Sequence, residues 1–130
     1  MGEGQLPKAL LVEDEALVAM ITQDYLGEIG FDALWVDTAV EAMNVLVGGG
    51  FSLAVIDVGL PDMRGDDLAA KARELAPTLP IILASGFDAA ELKRRFANDD
   101  ALSVLGKPYT ESDLRTAIAA AGLIPVAVGD

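Results

Sequence analysis

Five short apolar runs alternate along the chain with longer stretches in which apolar residues recur every three or four positions. The runs lie at 8–12, 31–36, 53–56, 80–84 and 101–105. Short runs with β-branched members are typical of strands, and the longer stretches are typical of amphipathic helices. The run at 53–56 has no polar residue and is followed by Asp57. This pattern predicts a central strand that is buried on both faces and ends at a crevice.

Helices are predicted after each strand from apolar spacing and from capping residues. The apolar face of the first helix comprises Leu17, Met20, Ile21 and Tyr25, and Gly27 and Gly30 mark its end. The predicted caps of the other four are Thr38 with Glu41, Asp66 or Asp67, Asp88 with Glu91, and Thr110 with Asp113. Such side chains accept hydrogen bonds from backbone N–H groups that a helix start leaves unpaired. These helices are expected to end at 47, near Pro77, at about 97 and at Gly122.

Five strand–helix units in succession predict an α/β fold. Strands that alternate with helices form a parallel sheet with helices on both faces, which is a three-layer sandwich. The commonest arrangement of five such units is the flavodoxin-like (βα)5 fold with strand order 2-1-3-4-5. Ligands of this fold bind outside the carboxyl ends of the strands, where strands 1 and 3 lie side by side.

Polar residues follow the first, third, fourth and fifth predicted strands. Glu13 and Asp14 follow the first, Asp57 the third, Ser85 the fourth and Lys107 the fifth. In the order 2-1-3-4-5 these four strand ends are neighbours at one edge of the sheet. We therefore expect three carboxylates, one hydroxyl and one ammonium group to converge on one crevice.

Three carboxylates at close range repel one another unless a cation lies between them, and Mg²⁺ prefers oxygen ligands. Asp14 and Asp57 are the expected direct ligands, Glu13 binds directly or through water, and the backbone carbonyl of Gly59 is a further candidate. A site of metal, ammonium and hydroxyl groups also suits a phosphoryl group. Asp57 is then the nucleophile that forms an aspartyl phosphate.

Composition narrows this chemistry further. The chain has 130 residues with a net charge of -12, and it contains neither Cys nor His. Disulfides, thiol catalysis and His-based catalysis are therefore excluded, so any phosphoryl donor is a partner's phosphohistidine or a small molecule. The negative charge disfavours direct binding to nucleic acids and to anionic membranes. The start of the sequence has no signal-peptide pattern, and a cytoplasmic location is expected.

Four motifs carry a resemblance to a known family. They are Leu-Val-Glu-Asp-Glu at 11–15, Ile-Asp-Val-Gly-Leu-Pro-Asp-Met-Arg-Gly at 56–65, Ala-Ser-Gly at 84–86 and Gly-Lys-Pro at 106–108. In this order they make the chain similar to the receiver domain of bacterial two-component response regulators, over about residues 8–121. The expected division is an N-terminal extension at 1–7, a receiver domain at 8–121 and a C-terminal tail at 122–130.

The resemblance implies a phosphorylation-dependent switch. A sensor histidine kinase or a phosphotransfer protein would phosphorylate Asp57, with Mg²⁺ held by Glu13, Asp14 and Asp57. Ser85 and Lys107 would sense the phosphoryl group, and the bond between Lys107 and Pro108 would be cis. The domain is expected to assist its own phosphorylation and dephosphorylation rather than to act as a conventional enzyme.

Three positions concern how this switch would work. Val104 lies where the family usually carries an aromatic residue that turns inward on activation. Phe87 lies two residues after Ser85, as in a subgroup of receivers, and is predicted to take part of that role. Gly59 lies where many receivers carry a larger side chain, and it leaves one side of the phosphoryl group open to water.

The resemblance also implies an output face formed by helix 4, strand 5 and helix 5, through which a downstream protein is controlled. The basic cluster at 93–95 lies on this face, either as a docking surface or as a solvated helix surface. We interpret the chain as a stand-alone receiver, and a close variant of this interpretation is a receiver excised from a hybrid kinase or from a longer regulator. The tail at 123–128 fits either a linker or a docked extension.

Two other functional classes remain open. A Mg²⁺-dependent phosphatase that works through an aspartyl phosphate would share Asp57, Lys107 and the metal. Such an enzyme usually needs a second acid two residues after the nucleophile, where this chain has Gly59. An interaction module that works without phosphorylation would not require the set of acids.

Overall fold

The computed structural model describes residues 5–123, which form five strands and five helices in strict alternation. The strands are β1 (Lys8–Val12), β2 (Asp32–Val36), β3 (Phe51–Asp57), β4 (Ile81–Ser85) and β5 (Leu102–Gly106). The helices are α1 (Ala16–Ile29), α2 (Ala39–Val47), α3 (Gly65–Leu75), α4 (Ala89–Arg95) and α5 (Glu111–Ala120). The predicted sequence of elements is confirmed.

The strands form one parallel sheet in the order β2-β1-β3-β4-β5. Two apolar cores lie on its opposite faces, because alternate side chains of each strand point to opposite sides. In β3, Ala54 and Ile56 contribute to one core, and Leu53 and Val55 to the other. The predicted flavodoxin-like fold, with its central strand buried on both faces, is therefore confirmed.

The predicted apolar face of α1 is wrong. Leu17, Met20 and Ile21 have exposed fractions of 70%, 57% and 44%, and Tyr25 is half-buried. The buried residues of α1 are Ala19, Thr22, Leu26 and Ile29. Both sets recur at helical spacing, so periodicity alone does not choose between them. The small side chains of Ala19 and Thr22 let α1 lie close to the sheet. The helix also continues past Gly27, and its C-cap is Gly30, which has a φ of 122°.

The helix caps follow the prediction in two cases. Thr110 and Asp113 form a complete capping box at the start of α5. At α2, the Glu41 N–H group donates to Thr38 Oγ1 at 3.1 Å. Asp62, from the loop after β3, supplies further caps because its two oxygens accept from the N–H groups of Ala39 and Val40 at 2.9 and 3.0 Å.

The other two caps differ from the prediction. Arg64 is the N-cap of α3, and Asp66 and Asp67 lie inside its first turn. Asp88 is at the N-cap position of α4, but its side chain makes no capping hydrogen bond. Both of its oxygens bind other side chains, as described below. Helix α4 ends at Arg95, two residues before the predicted end.

The expected extension at 1–7 and tail at 122–130 lie partly outside the described residues, and the division into these segments stays a prediction. The same holds for the two interpretations of the tail at 123–128. Among the helices of residues 5–123, none is long and apolar enough to cross a membrane.

Candidate phosphoryl-acceptor site

The carboxyl ends of β1, β3, β4 and β5 bring the predicted site residues together. The ladders pair Val12 with Ile56, Asp57 with Ala84, and Ser85 with Gly106. Residues at or just after these positions therefore share one edge of the sheet. The prediction from the strand ends thus holds for Glu13, Asp14, Asp57, Ser85 and Lys107.

An acidic cluster forms the centre of this edge. Glu13, Asp14 and Asp57 each place a carboxylate oxygen within 4.8 Å of the others. Glu13 and Asp57 are buried, whereas Asp14 is exposed. The oxygen donors suit a hard divalent cation, and the exposed side leaves room for the waters that Mg²⁺ retains.

The pKa of the Glu13 carboxyl group is raised above its ordinary value. Burial raises this pKa and the charge of Asp57 raises it further. The N–H group of Glu15, which donates to Glu13 at 3.1 Å, and the charge of Lys107 oppose this rise without cancelling it. The Trp35 side chain donates to the Glu13 carbonyl at 2.7 Å and so holds the backbone after β1 in place.

Lys107 neutralises part of this charge. Its Nζ donates to Asp57 Oδ1 at 2.7 Å and lies 3.5 Å from Glu13 Oε1 and 4.0 Å from Glu15 Oε1. Burial alone would lower the pKa of Lys107, but the hydrogen bond and charge of Asp57, together with Glu13, raise it above its ordinary value. The peptide bond between Lys107 and Pro108 is cis, as the resemblance implied.

The backbone after β3 fixes the position of Asp57. The Gly59 N–H group donates to Asp57 Oδ2 at 3.0 Å, so both carboxylate oxygens have a donor. The N–H group of Gly65 donates to the Val58 carbonyl at 2.8 Å. A Cβ atom on Gly65 would overlap the Asp57 carbonyl oxygen and lie 2.7 Å from its carbonyl carbon. Glycine is therefore required where α3 begins.

A cleft of about 470 Å³ opens beside Asp57. The side chains of Lys107 and Ser85 line it on the sheet side, and those of Arg64, Phe87 and Asp88 line it further out. Ser85 is buried, and its hydroxyl donates to Asp88 Oδ1 at 2.7 Å. Asp88 Oδ2 accepts from Arg64 Nη2 at 2.9 Å. The cleft thus contains one ammonium, one guanidinium and one hydroxyl group, and the last two are bound to Asp88 in this structure.

Phe87 and Val104, the two predicted switch residues other than Ser85, lie in different surroundings. The Phe87 side chain is fully exposed at the mouth of the cleft. Val104 is half-buried in β5 and packs against the core that contains Leu83. Their roles in switching stay predictions, as does the metal contact from the Gly59 carbonyl.

The three residues of the basic cluster on α4 differ in their contacts. Lys93 and Arg94 are exposed, whereas Arg95 donates to Asp66 at 2.6 Å and to Asp67 at 3.1 Å. Arg95 therefore holds α4 against α3. Tyr109 packs against Tyr25 and shares a 2.7 Å hydrogen bond with Thr22, which gives it an internal role.

Arg64, Asp88 and Glu15 are neighbours of the site that the sequence did not predict. Glu15 belongs to the first motif, and a third consecutive acid was a signal that it would lie near Lys107. The capping pattern predicts only a helix cap at Asp88, although its position three residues after Ser85 suits a local hydrogen bond. Arg64 offered no local signal, because its partner Asp88 lies 24 residues away.

Comparisons with known proteins place this geometry in a family. The model of the response regulator receiver domain matches residues 9–119. The chain is 31% identical over 110 residues to the sensor histidine kinase RcsC of Salmonella typhi, covering 85% of this chain and 12% of that protein. It is 32% identical over 120 residues to the response regulator protein FleR of Pseudomonas aeruginosa, covering 91% of this chain and 25% of that protein. The chain thus spans a small part of the length of these relatives.

Among solved structures, a CheY-like response regulator receiver domain protein from Methanospirillum hungatei superposes with a TM-score of 0.76 at 30% identity. The match covers 88% of this chain and 92% of that one. Sequence and fold agree over nearly all the described residues. The chain therefore belongs to the response regulator receiver domains of two-component systems, a family of phosphoacceptor signalling modules.

Proposed function

We propose that Asp57 accepts a phosphoryl group from the phosphohistidine of a sensor histidine kinase or a phosphotransfer protein, and that the domain then controls a downstream protein. The observation that carries this proposal is the 2.7 Å contact between Lys107 and Asp57 beside a cluster of three carboxylates. A buried acid that has both a fixed cation and a cation-binding cluster is suited to carry a transferred phosphoryl group.

The acidic cluster would hold Mg²⁺ through Glu13, Asp14 and Asp57, with the Gly59 carbonyl as a further ligand. When bound, the ion would neutralise charge on the phosphoryl oxygens and on the attacking carboxylate. Removal of the metal is expected to abolish phosphorylation, because three carboxylates would then repel the incoming anion.

In the transfer, an oxygen of Asp57 would form a P–O bond as the donor's P–N bond breaks, and the electron pair of that bond would stay on the donor nitrogen. Lys107, already beside Asp57 Oδ1, would pair with a phosphoryl oxygen. The Ser85 hydroxyl would donate a hydrogen bond to another phosphoryl oxygen. The domain would therefore assist its own phosphorylation and dephosphorylation by holding charge in place.

The remaining parts of the proposal concern partners and location. The downstream protein would bind the face of α4, β5 and α5, where Lys93 and Arg94 are exposed. Direct contact with nucleic acids and membranes is not proposed, because the net charge of -12 repels both. A cytoplasmic location fits a donor that obtains its phosphoryl group from ATP.

A phosphatase is the second candidate. It would use the same acid and Lys107, but it needs a proton donor for the leaving group. At the position two residues after Asp57, Gly59 offers only its N–H group, which is already bound to Asp57 Oδ2. The geometry therefore favours a phosphoryl acceptor over an enzyme that turns over phosphate esters.

The decisive experiment treats the protein with a small phosphodonor in Mg²⁺ and measures intact mass. We expect addition of one phosphoryl group in the wild type and in Asp67→Asn, an exposed acid on α3. Asp57→Asn, and wild type in excess chelator, should show none. An unmodified wild type would refute the proposal, and continuous release of phosphate from esters would favour the phosphatase.

A further inference from the structure

The hydroxyl group of Ser85 is already committed to another residue. It donates to Asp88 Oδ1 at 2.7 Å, and its oxygen accepts from the Phe87 N–H group at 3.3 Å. A serine hydroxyl has one proton to donate. Ser85 therefore cannot donate to a phosphoryl oxygen on Asp57 while it donates to Asp88.

Asp88 also binds the guanidinium group of the same cleft. Its second oxygen accepts from Arg64 Nη2 at 2.9 Å. The hydrogen bond from Ser85, followed by that from Arg64, lowers the pKa of Asp88, so the residue is a carboxylate at neutral pH. An anion held by one hydroxyl and one guanidinium group occupies the same type of site that a phosphoryl group would.

Arg64 is positioned to serve the cleft. Its backbone forms a bridge with Gly59, two residues past Asp57, so its side chain starts close to the acceptor. Its Nε donates to Asp66 Oδ1 at 3.0 Å, and Asp66 Oδ2 accepts from Arg95 of α4 at 2.6 Å. A run of charged contacts thus connects Ser85 with both ends of α4.

The start of α4 lacks the cap that its sequence offers. Asp88 occupies the N-cap position, but neither oxygen binds an N–H group of the first turn. Asp is among the best N-cap residues when its oxygen is available. The Asp88 carboxylate can therefore either cap α4 or bind Ser85 and Arg64. In this structure it binds Ser85 and Arg64.

We propose that Asp88 is an internal competitor of the phosphoryl group. In the unphosphorylated domain it holds Ser85 and Arg64; on phosphorylation both turn to the phosphoryl oxygens, and the released Asp88 carboxylate caps α4. Arg64 is then a second cation of the site beside Lys107. This inference rests on the proposed role of Asp57, and it links phosphorylation to α4 through a side chain that forms no hydrogen bond with Asp57.

The test is a titration with beryllofluoride in Mg²⁺, followed by amide NMR. Asp88→Asn keeps a good N-cap residue but removes the charge that competes for Ser85 and Arg64. We expect its apparent Kd for beryllofluoride to fall by about three- to tenfold, the effect of replacing a charged hydrogen-bond partner by a neutral one. Arg64→Ala should weaken binding by a similar factor.

Glu91→Gln is the matched control, because it also changes an acid into its amide in the first turn of α4. Its Kd should stay within about twofold of wild type, since surface charges of this kind have small effects. If Asp88→Asn binds no more tightly than Glu91→Gln, the inference is wrong although the wild type binds. If the wild type does not bind beryllofluoride at all, the proposed function fails, and this inference with it.

A second measurement needs only the wild type and so does not depend on the variants folding. The N–H groups of Ala90 and Glu91 are those that an N-cap at Asp88 would bind. Beryllofluoride should slow hydrogen exchange at one of them by about tenfold or more, because a free amide becomes bonded. Unchanged exchange at both would overturn the predicted transfer of Asp88 to the cap.

Discussion

The two sides of the Asp57 cleft are built differently. On the side of β1 and β3, buried backbone and side chains fix the positions of the acids. The start of α3 lies so close to the Asp57 carbonyl that only glycine fits at position 65. On the other side, Leu92 is the buried residue of α4, and the helix is held largely by ion pairs from Asp66 to Arg95 and by the neighbouring contacts of Asp88. The first side holds the acidic groups in a fixed geometry. On the second side, polar side chains such as Asp88 can exchange one hydrogen-bond partner for another.

The largest expected effect tests the rigidity of the acid side. Gly65→Ala places a methyl group against the Asp57 carbonyl, so we expect a loss of about 3 kcal/mol or more in unfolding free energy. Gly27→Ala is the control, because its added Cβ meets no atom within 4 Å and replaces glycine inside α1. It should gain about 0.5–1 kcal/mol. Denaturant unfolding measures both, and a tolerated Gly65→Ala would contradict the rigid contact.

The next effect concerns the segment that follows α4. Arg73 of α3 binds the Asp99 carboxylate at 2.9 Å and the carbonyls of Ala76 and Leu79 at 3.0 and 2.6 Å. Arg73→Ala should cost about 2–3 kcal/mol, because these half-buried acceptors lose a charged donor. Arg115→Ala removes a partly exposed pair with Glu111 and a long hydrogen bond of 3.4 Å to the Glu28 carbonyl, and it should cost about 1 kcal/mol or less. Equal losses would show that the far end of α4 is not anchored by Arg73.

A smaller and more local effect is expected at Asp66. Asp66→Asn weakens the pairs with Arg64 and Arg95, and we expect a loss of about 1–2 kcal/mol, since both arginines are substantially exposed. Hydrogen exchange should accelerate in α4 and remain unchanged in α1. Asp67→Asn removes the charge of a half-exposed partner of Arg95, so its effect on either helix should be small. Faster exchange spread evenly over the domain would remove the distinction between the two sides.

The smallest effect depends on pH. The N–H groups of Ala39 and Val40 lower the pKa of Asp62 below its unfolded value. The unfolded chain therefore binds the proton more readily, so the stability from this group is present above the ordinary pKa of aspartate and is lost as pH falls through the lowered one. Asp62→Asn should lower Tm slightly at pH 7. The difference from wild type should vanish in acid, and a difference that persists there would point to packing.

The site was predictable where position along a strand determines position in space. Parallel strands end at one edge, so Glu13, Asp57, Ser85 and Lys107 followed from the apolar runs and the strand order. The side of α4 was not predictable, because its contacts pair residues far apart in sequence, such as Asp66 with Arg95. The buried face of α1 was missed since two stripes have the same period. Local chemistry predicts a helix cap at Asp88, but in the structure its carboxylate binds Ser85 and the distant Arg64 instead.

The loop between Val58 and Gly65 is held by hydrogen bonds within itself and by one side chain that binds the start of α2. Gly65 donates back to Val58, Gly59 pairs with Arg64, and Asp62 reaches across to the start of α2. Its length is therefore set by both neighbouring helices. Relatives that keep all three contacts are expected to vary in sequence here but not in residue number, and an inserted residue would uncap α2 and displace Asp57 together.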